Sequence, residues 1–167
     1  PIAVLQLATP DTTYIIDVLA LTTTSTAATT TTAALQQTIQ SLLSCPTVPK
    51  YGFALNNDLT RLEQALPGTT EDATSLYDLQ IAAGRYLSLP KRMAIGLSTA
   101  CEALLGGVTL DKTEQTSDWQ SRPLTPSQIQ YAAMDAYVLL QVAEALGKQG
   151  EEALAGSGIE MRPPGAA

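Results

Sequence analysis

"TPSQIQYAAMDAYVLLQVAEALG", from Thr125 to Gly147, decides how this chain is read. Thr125 is a good N-cap, Pro126 suits the first helical position, and Gln128 completes a T-x-x-Q capping box. Gly147 is the expected stop. Between them Ile129, Ala132, Ala133, Ala136, Leu139, Leu140 and Ala143 make one broad apolar stripe. At about 100° per residue, Asp135 falls at the edge of that stripe, with Tyr131 just beyond it and one turn earlier. A carboxylate at such a seam is costly unless it is paired or holds a cation. Taken alone, the helix leaves open whether Asp135 is a half-exposed hydrogen-bond acceptor or a ligand.

A second carboxylate bears on that choice. Asp58 follows "YGFALNN", where a buried strand passes into the short helix "LTRLEQAL", with Leu59, Leu62 and Leu66 inward and Pro67-Gly68 as its stop. Aspartate is a favoured N-cap, so a capping role is the plain reading of Asp58. The C-terminal edge of a sheet is also where α/β folds place their sites. Two such carboxylates with a tyrosine suit a divalent-metal phosphoryl-transfer centre.

Working outward, "IAVLQLAT" (2–9) and "TTYIIDVLAL" (12–21) predict two strands in an antiparallel hairpin across Pro10-Asp11. The threonine-rich stretch 22–32 has little to bury and reads as a flexible surface insertion. "AALQQTIQSLLS" and "GLSTACEALLGG" have helical spacing, and "SLYDLQIAAGRYL" starts as a strand and continues as a helix. Val108 to Leu124 is an irregular connector, and residues 148–167 read as a loose tail beyond a domain spanning 1–147. The layout is α/β with a mixed sheet.

Composition narrows the chemistry. The 167 residues contain no histidine, which excludes Ser-His-Asp and Cys-His machinery and every histidine-containing zinc site. The net charge of −7 argues against a generic electrostatic grip on nucleic acid, so a local basic rim or a metal is needed there. Lys112, Arg122 and Arg61 lie near the motifs and are the candidate phosphate contacts, against ordinary surface charge. Trp119 is either a base-stacking ring or one packed under its loop. Asp78, Asp111 and Asp118 read as caps or loop hydrogen bonds. Cys45 and Cys101 are far apart with apolar neighbours, which fits free thiols in an intracellular, reducing setting. No apolar run approaches the roughly 20 residues that span a bilayer. No Gly-rich phosphate loop is present, which leaves a small-molecule α/β enzyme without support.

"YGFALNNDLTRL" resembles the second motif of the DEDD exonucleases, and "LDKTEQTSDWQSRPLTPSQIQYAAMDAYVLL" resembles their third, in its Tyr-x-x-x-Asp form, with the preceding connector. Together with the hairpin they are similar to the ribonuclease D and Werner-type 3′–5′ exonucleases, and most of all to the Nibbler-type branch. The resemblance implies a ribonuclease H-like sheet flanked by helices. It implies two Mg²⁺ or Mn²⁺ ions roughly 3.5–4 Å apart, and a single-stranded RNA or DNA 3′ end as substrate. By position, Asp58 and Asp135 are implied metal ligands, and Tyr131 the residue that positions the attacking water. The family's first motif, Asp-x-Glu, lies on a central strand before the hairpin, and no D-x-E stands in a matching position here. Two expectations follow. Either an upstream segment or partner chain supplies that strand, or the domain is a degenerate exonuclease-like module that binds nucleic acid or protein. On both, this chain alone is weak or inactive.

Overall fold

The computed structural model describes residues 2–23, 28–90, 93–148 and 157–158. The hairpin forms as expected but is shorter: β1 (Leu5–Ala8) and β2 (Thr13–Ile16) pair antiparallel, with Leu5 opposite Ile16 and Ala8 opposite Thr13. Thr9 and Thr12 close its loop, Thr9 N donating to Thr12 O at 2.8 Å. The second strand does not run to Leu21. Asp17 ends it, because its Oδ1 accepts from Ala20 N at 2.9 Å and starts helix α1 (Val18–Thr23).

The threonine-rich stretch is the main correction to the sequence reading. Helix α2 (Ala28–Ser44) takes in its second half, and only residues 24–27 of it lie outside the described residues. The hydroxyls are accommodated by bonding back onto carbonyls: Thr22 Oγ1 donates to Val18 O at 2.8 Å, and Thr32 Oγ1 to Leu21 O at 3.2 Å. Threonine without apolar partners thus still joins a helix when the flanking Leu35, Ile39 and Leu43 have a core to enter.

Strand β3 (Lys50–Gly52) pairs in parallel with β4 (Leu76–Asp78), joined through helix α3 (Leu55–Ala65). Helices α4 (Leu79–Tyr86) and α5 (Leu97–Leu104) follow, the latter ended by Gly106 and Gly107 at φ 68° and 90°. After the irregular connector, helix α6 (Pro126–Lys148) closes the fold, running one residue past the expected stop at Gly147. Of the segment read as a loose tail, Ser157 and Gly158 are instead laid against β4. Ser157 O accepts from Asp78 N at 3.0 Å, and Gly158 bridges Tyr77.

The architecture is the expected mixed α/β class. Among the described residues the strands form two separate ladders, β1-β2 and β3-β4. Helix α6 touches both ladders and also α4 and α5. Its buried side chains join Leu79, Ala82 and Cys101 in one core. A second core gathers Ile39 and Leu43 of α2, Leu59 and Leu62 of α3, and Leu66 and Leu76, with Leu5 and Leu7 of the hairpin packed beside it. No described helix is long and apolar enough to cross a membrane.

Candidate active site

The capping box at the start of α6 forms as the sequence predicts. Gln128 N donates to Thr125 Oγ1 at 3.1 Å, and Thr125 N donates to Gln128 Oε1 at 2.9 Å. Gln128 is itself buried, and its amide nitrogen ties the connector down at Ser117 Oγ and Asp118 O. The helix then presents Tyr131 and Asp135, both half-buried.

The expected stripe on this helix is rotated. The buried residues are Gln128, Ala132, Ala136, Val138, Val142, Ala143 and Leu146, while Ile129 is 46% exposed. In helical projection Asp135 lies inside that buried face, between Val142 and Leu146, not at its edge. Burial is shared between the ladders on one side and α4-α5 on the other, which a one-sided stripe does not anticipate.

Inside that face the carboxylate has a tyrosine for a neighbour. The Tyr131 phenol lies one turn earlier, close enough for the two groups to perturb each other. Burial, with the Asp135 charge adding to it, pushes the Tyr131 phenol up to about 12, so it stays protonated as a donor. Burial likewise raises the Asp135 carboxyl above its ordinary value, against the opposing influence of the nearby Tyr131 hydroxyl. Cys101 on α5 lies close enough for the Asp135 charge to add to the burial that raises its thiol.

Asp58 is not a cap. The N-cap position of α3 is Ala54, in the left-handed region at φ 56°, and Asp58 stands in the first turn. The cap is supplied from a distance by Asp78, a buried carboxylate that accepts from Ala54 N at 3.2 Å, Leu55 N at 3.0 Å and Gln80 N at 2.9 Å. Asp78 therefore fixes the start of α3, which carries Asp58, and the start of α4 together. Gly52 allows the tight turn before it, since a Cβ there would meet Leu55 Cδ1 at 2.4 Å. The Asp58 carboxylate reaches solvent, yet the protein packed around it raises its pKa. The Arg61 charge counters this, and the Asp78 charge reinforces it.

The remaining expected residues divide. Arg61 is exposed and acts on Asp58; Lys112 is exposed on the connector. Arg122, expected at a phosphate, is occupied elsewhere. Its Nε and Nη2 bind the two Asp17 oxygens at 2.5 and 2.6 Å, and its nitrogens also reach Ala3 O, Trp119 O and Ser121 O. Trp119 packs under the loop against Tyr131, with centroids 6.0 Å apart, and its indole N–H donates to Glu114 O. Asp111 and Asp118 accept loop hydrogen bonds from Thr113 and Gln120, as read. The Asp17–Arg122 pair spans 105 positions and left no local signal in the sequence.

The charges that act on Asp58 are those of Arg61 and Asp78, and the side chain that acts on Asp135 is Tyr131. Among the described residues no three histidine, cysteine, aspartate or glutamate side chains gather as a metal cage. The donors present are hard oxygens whose ionised forms are penalised by their surroundings, the chemistry a hard divalent cation relieves. They fit such an ion as part of its coordination shell.

The mixed α/β domain carries Tyr131 and Asp135 one turn apart on its last helix and Asp58 in the first turn of the helix that follows β3. The 3′–5′ exonuclease family model matches residues 1–151, and the chain belongs to that family. It is 35% identical over 163 residues to the human exonuclease mut-7 homolog, covering 88% of this chain and 18% of that protein. The crystal structure of the Aedes aegypti Nibbler EXO domain superposes with a TM-score of 0.69 at 29% identity, covering 88% of this chain and 70% of that one. Escherichia coli RNase D gives 0.65 at 29%, covering 87% and 34%. The chain thus spans about a fifth of the curated human relative.

Proposed function

We propose that this domain removes nucleotides from the 3′ end of single-stranded RNA by metal-dependent hydrolysis, with Asp58 and Asp135 as ligands of Mg²⁺ or Mn²⁺ and Tyr131 orienting the attacking water. The observation that carries the reading is the half-buried placement of Tyr131 and Asp135 one turn apart on α6, inside the family-matched segment. RNA is favoured because E. coli RNase D, a structural relative, is described as an exoribonuclease of structured RNA processing.

Each residue has a defined part. Asp135 and Asp58 offer anionic oxygens. Tyr131, protonated across the working range, donates to or orients a water one helical turn from Asp135. Arg61, exposed beside Asp58, offers a cation to the substrate backbone; Lys112 is the second such candidate. The bound ions would activate water and neutralise charge building on the phosphate.

Two carboxylates do not complete such a site. The other donors come from a strand that inserts between the two ladders, supplied by a preceding segment or a partner chain. Two features support this. The β1-β2 and β3-β4 ladders do not pair with one another, and none of the hairpin's strand residues is fully buried. Backbone groups on an unpaired inner edge call for a partner.

The test is hydrolysis of a 3′-extended single-stranded RNA by the 167 residues with Mn²⁺, alone and with an added preceding segment that carries an Asp-x-Glu strand. Weak cleavage alone and strong cleavage with the segment is expected, abolished by Asp135→Asn. Robust digestion by the 167 residues alone would refute the incomplete-site reading. Digestion indifferent to Asp135→Asn would refute the assignment of the site.

A further inference from the structure

We infer that Trp119 is a positioning residue for Tyr131, and that the Asp17–Arg122 ion pair holds it in place. This rests on the exonuclease reading for what Tyr131 does, and on geometry alone for how Tyr131 is held.

Trp119 is the chain's sole tryptophan, in a connector without regular structure, yet it is fixed at three points. Its backbone N donates to Ser117 O at 3.0 Å, its Nε1 to Glu114 O at 3.1 Å, and its carbonyl accepts from Arg122 Nη1 at 2.8 Å. Its one side-chain donor is therefore spent within the loop. What remains is the ring, tilted 48° to that of Tyr131 with centroids 6.0 Å apart. Such an arrangement lies in the favourable range for aromatic pairs. The ring of Tyr131 is then held at Trp119, on the same helix turn that Gln128 anchors to the connector.

Arg122 connects this contact to the hairpin. Besides the Trp119 carbonyl it binds both oxygens of Asp17, which ends β2, and Ala3 O, which precedes β1. A bidentate guanidinium–carboxylate pair fixes direction as well as distance. From the other side Gln128, one turn before Tyr131, grips Ser117 and Asp118, the two residues before the tryptophan. The loop is thus clamped at both flanks, with the indole ring delivered to one face of Tyr131. Displacing a reacting group by about 1 Å can reduce rate by around a hundredfold, so a ring that fixes one is a credible determinant of turnover.

Two measurements test this. The first needs no turnover: tyrosine ring resonances of the chain, with Tyr131 assigned by Tyr131→Phe, are compared in wild type, Trp119→Leu and Arg122→Gln. Loss of the ring-current shift at Tyr131 in the first variant and its reduction in the second are expected; an unmoved Tyr131 resonance in both overturns the inference. Acrylamide quenching of the lone tryptophan reports the clamp, and Asp17→Asn should raise it well below the unfolding temperature. Quenching equal to wild type counts against the anchor.

The second is kinetic, in the full-length chain with Mn²⁺ and a single-stranded RNA. Trp119→Ala should lower kcat by about tenfold at unchanged KM, Trp119→Phe should restore most of it, and Trp119→Ala should add nothing once Tyr131 is Phe. Additive losses overturn the positioning role, because a structural defect does not depend on Tyr131. Turnover that survives Asp135→Asn sinks the exonuclease reading instead, and leaves the resonance test to decide the placement of Tyr131.

Discussion

The hairpin and the last helix are built to different standards. Helix α6 buries Val138, Val142 and Leu146 almost completely against α4 and α5, whereas every strand residue of β1 and β2 keeps part of its surface in water. The family-matched tyrosine and aspartate sit on the well-packed element. The less covered one packs on α6 and beside the second core, and Arg122 adds polar links to Asp17 and Ala3. The contrast is between a helix with several fully buried side chains and a sheet portion whose burial is incomplete.

The largest expected effects test that contrast in the core. Leu146→Ala should lose about 3–4 kcal/mol in urea denaturation, as for a fully buried leucine, and Leu7→Ala in the hairpin about 1 kcal/mol. Equal losses would erase the distinction. Next, Asp78→Ala strands three backbone donors at the starts of α3 and α4 and should destabilise by about 3 kcal/mol. It should also weaken any Mn²⁺-induced rise in melting temperature, since it loosens the turn carrying Asp58.

Cation binding gives a third test. A ligand at a hundredfold its Kd stabilises by about 2.7 kcal/mol. Mn²⁺ should raise the melting temperature of the chain, and not that of its Asp135→Asn variant. A rise of equal size in both would separate the metal from Asp135.

The hairpin's attachment is the acid-sensitive part. The Arg122 hydrogen bonds beside Asp17 hold its carboxyl below the ordinary carboxylate range. A depressed folded pKa contributes stability that is present above the unfolded value and is lost as pH falls through the folded one. Melting temperature should therefore fall below about pH 4 more steeply in wild type than in Asp17→Asn, which starts lower. Smallest of all, Ala54→Gly should gain up to about 1 kcal/mol by relieving the left-handed backbone before α3.

How much could be read in advance follows the range of the interactions. The capping box of Thr125 and Gln128, the Gly106-Gly107 stop and the leucine spacing of α3 are local, and all formed as expected. The one-residue extension of α6 past Gly147 and the early end of β2 at Asp17 are boundary effects of the same local kind. The helix in the threonine-rich stretch is not legible locally because it depends on the core that α2 enters. The pairing of Arg122 with Asp17 has no local signal because its partner lies 105 positions away.

By itself the sequence determined the class of chemistry: without histidine, and with Tyr131 and Asp135 one turn apart, an oxygen-donor site was the available choice. Only the tertiary structure decided that Asp135 lies within a buried face, that Asp78 caps the helix of Asp58, and that Arg122 serves the fold. The reason is physical. Spacing along one helix is fixed by covalent geometry, whereas burial and long-range pairing exist only once separate elements meet.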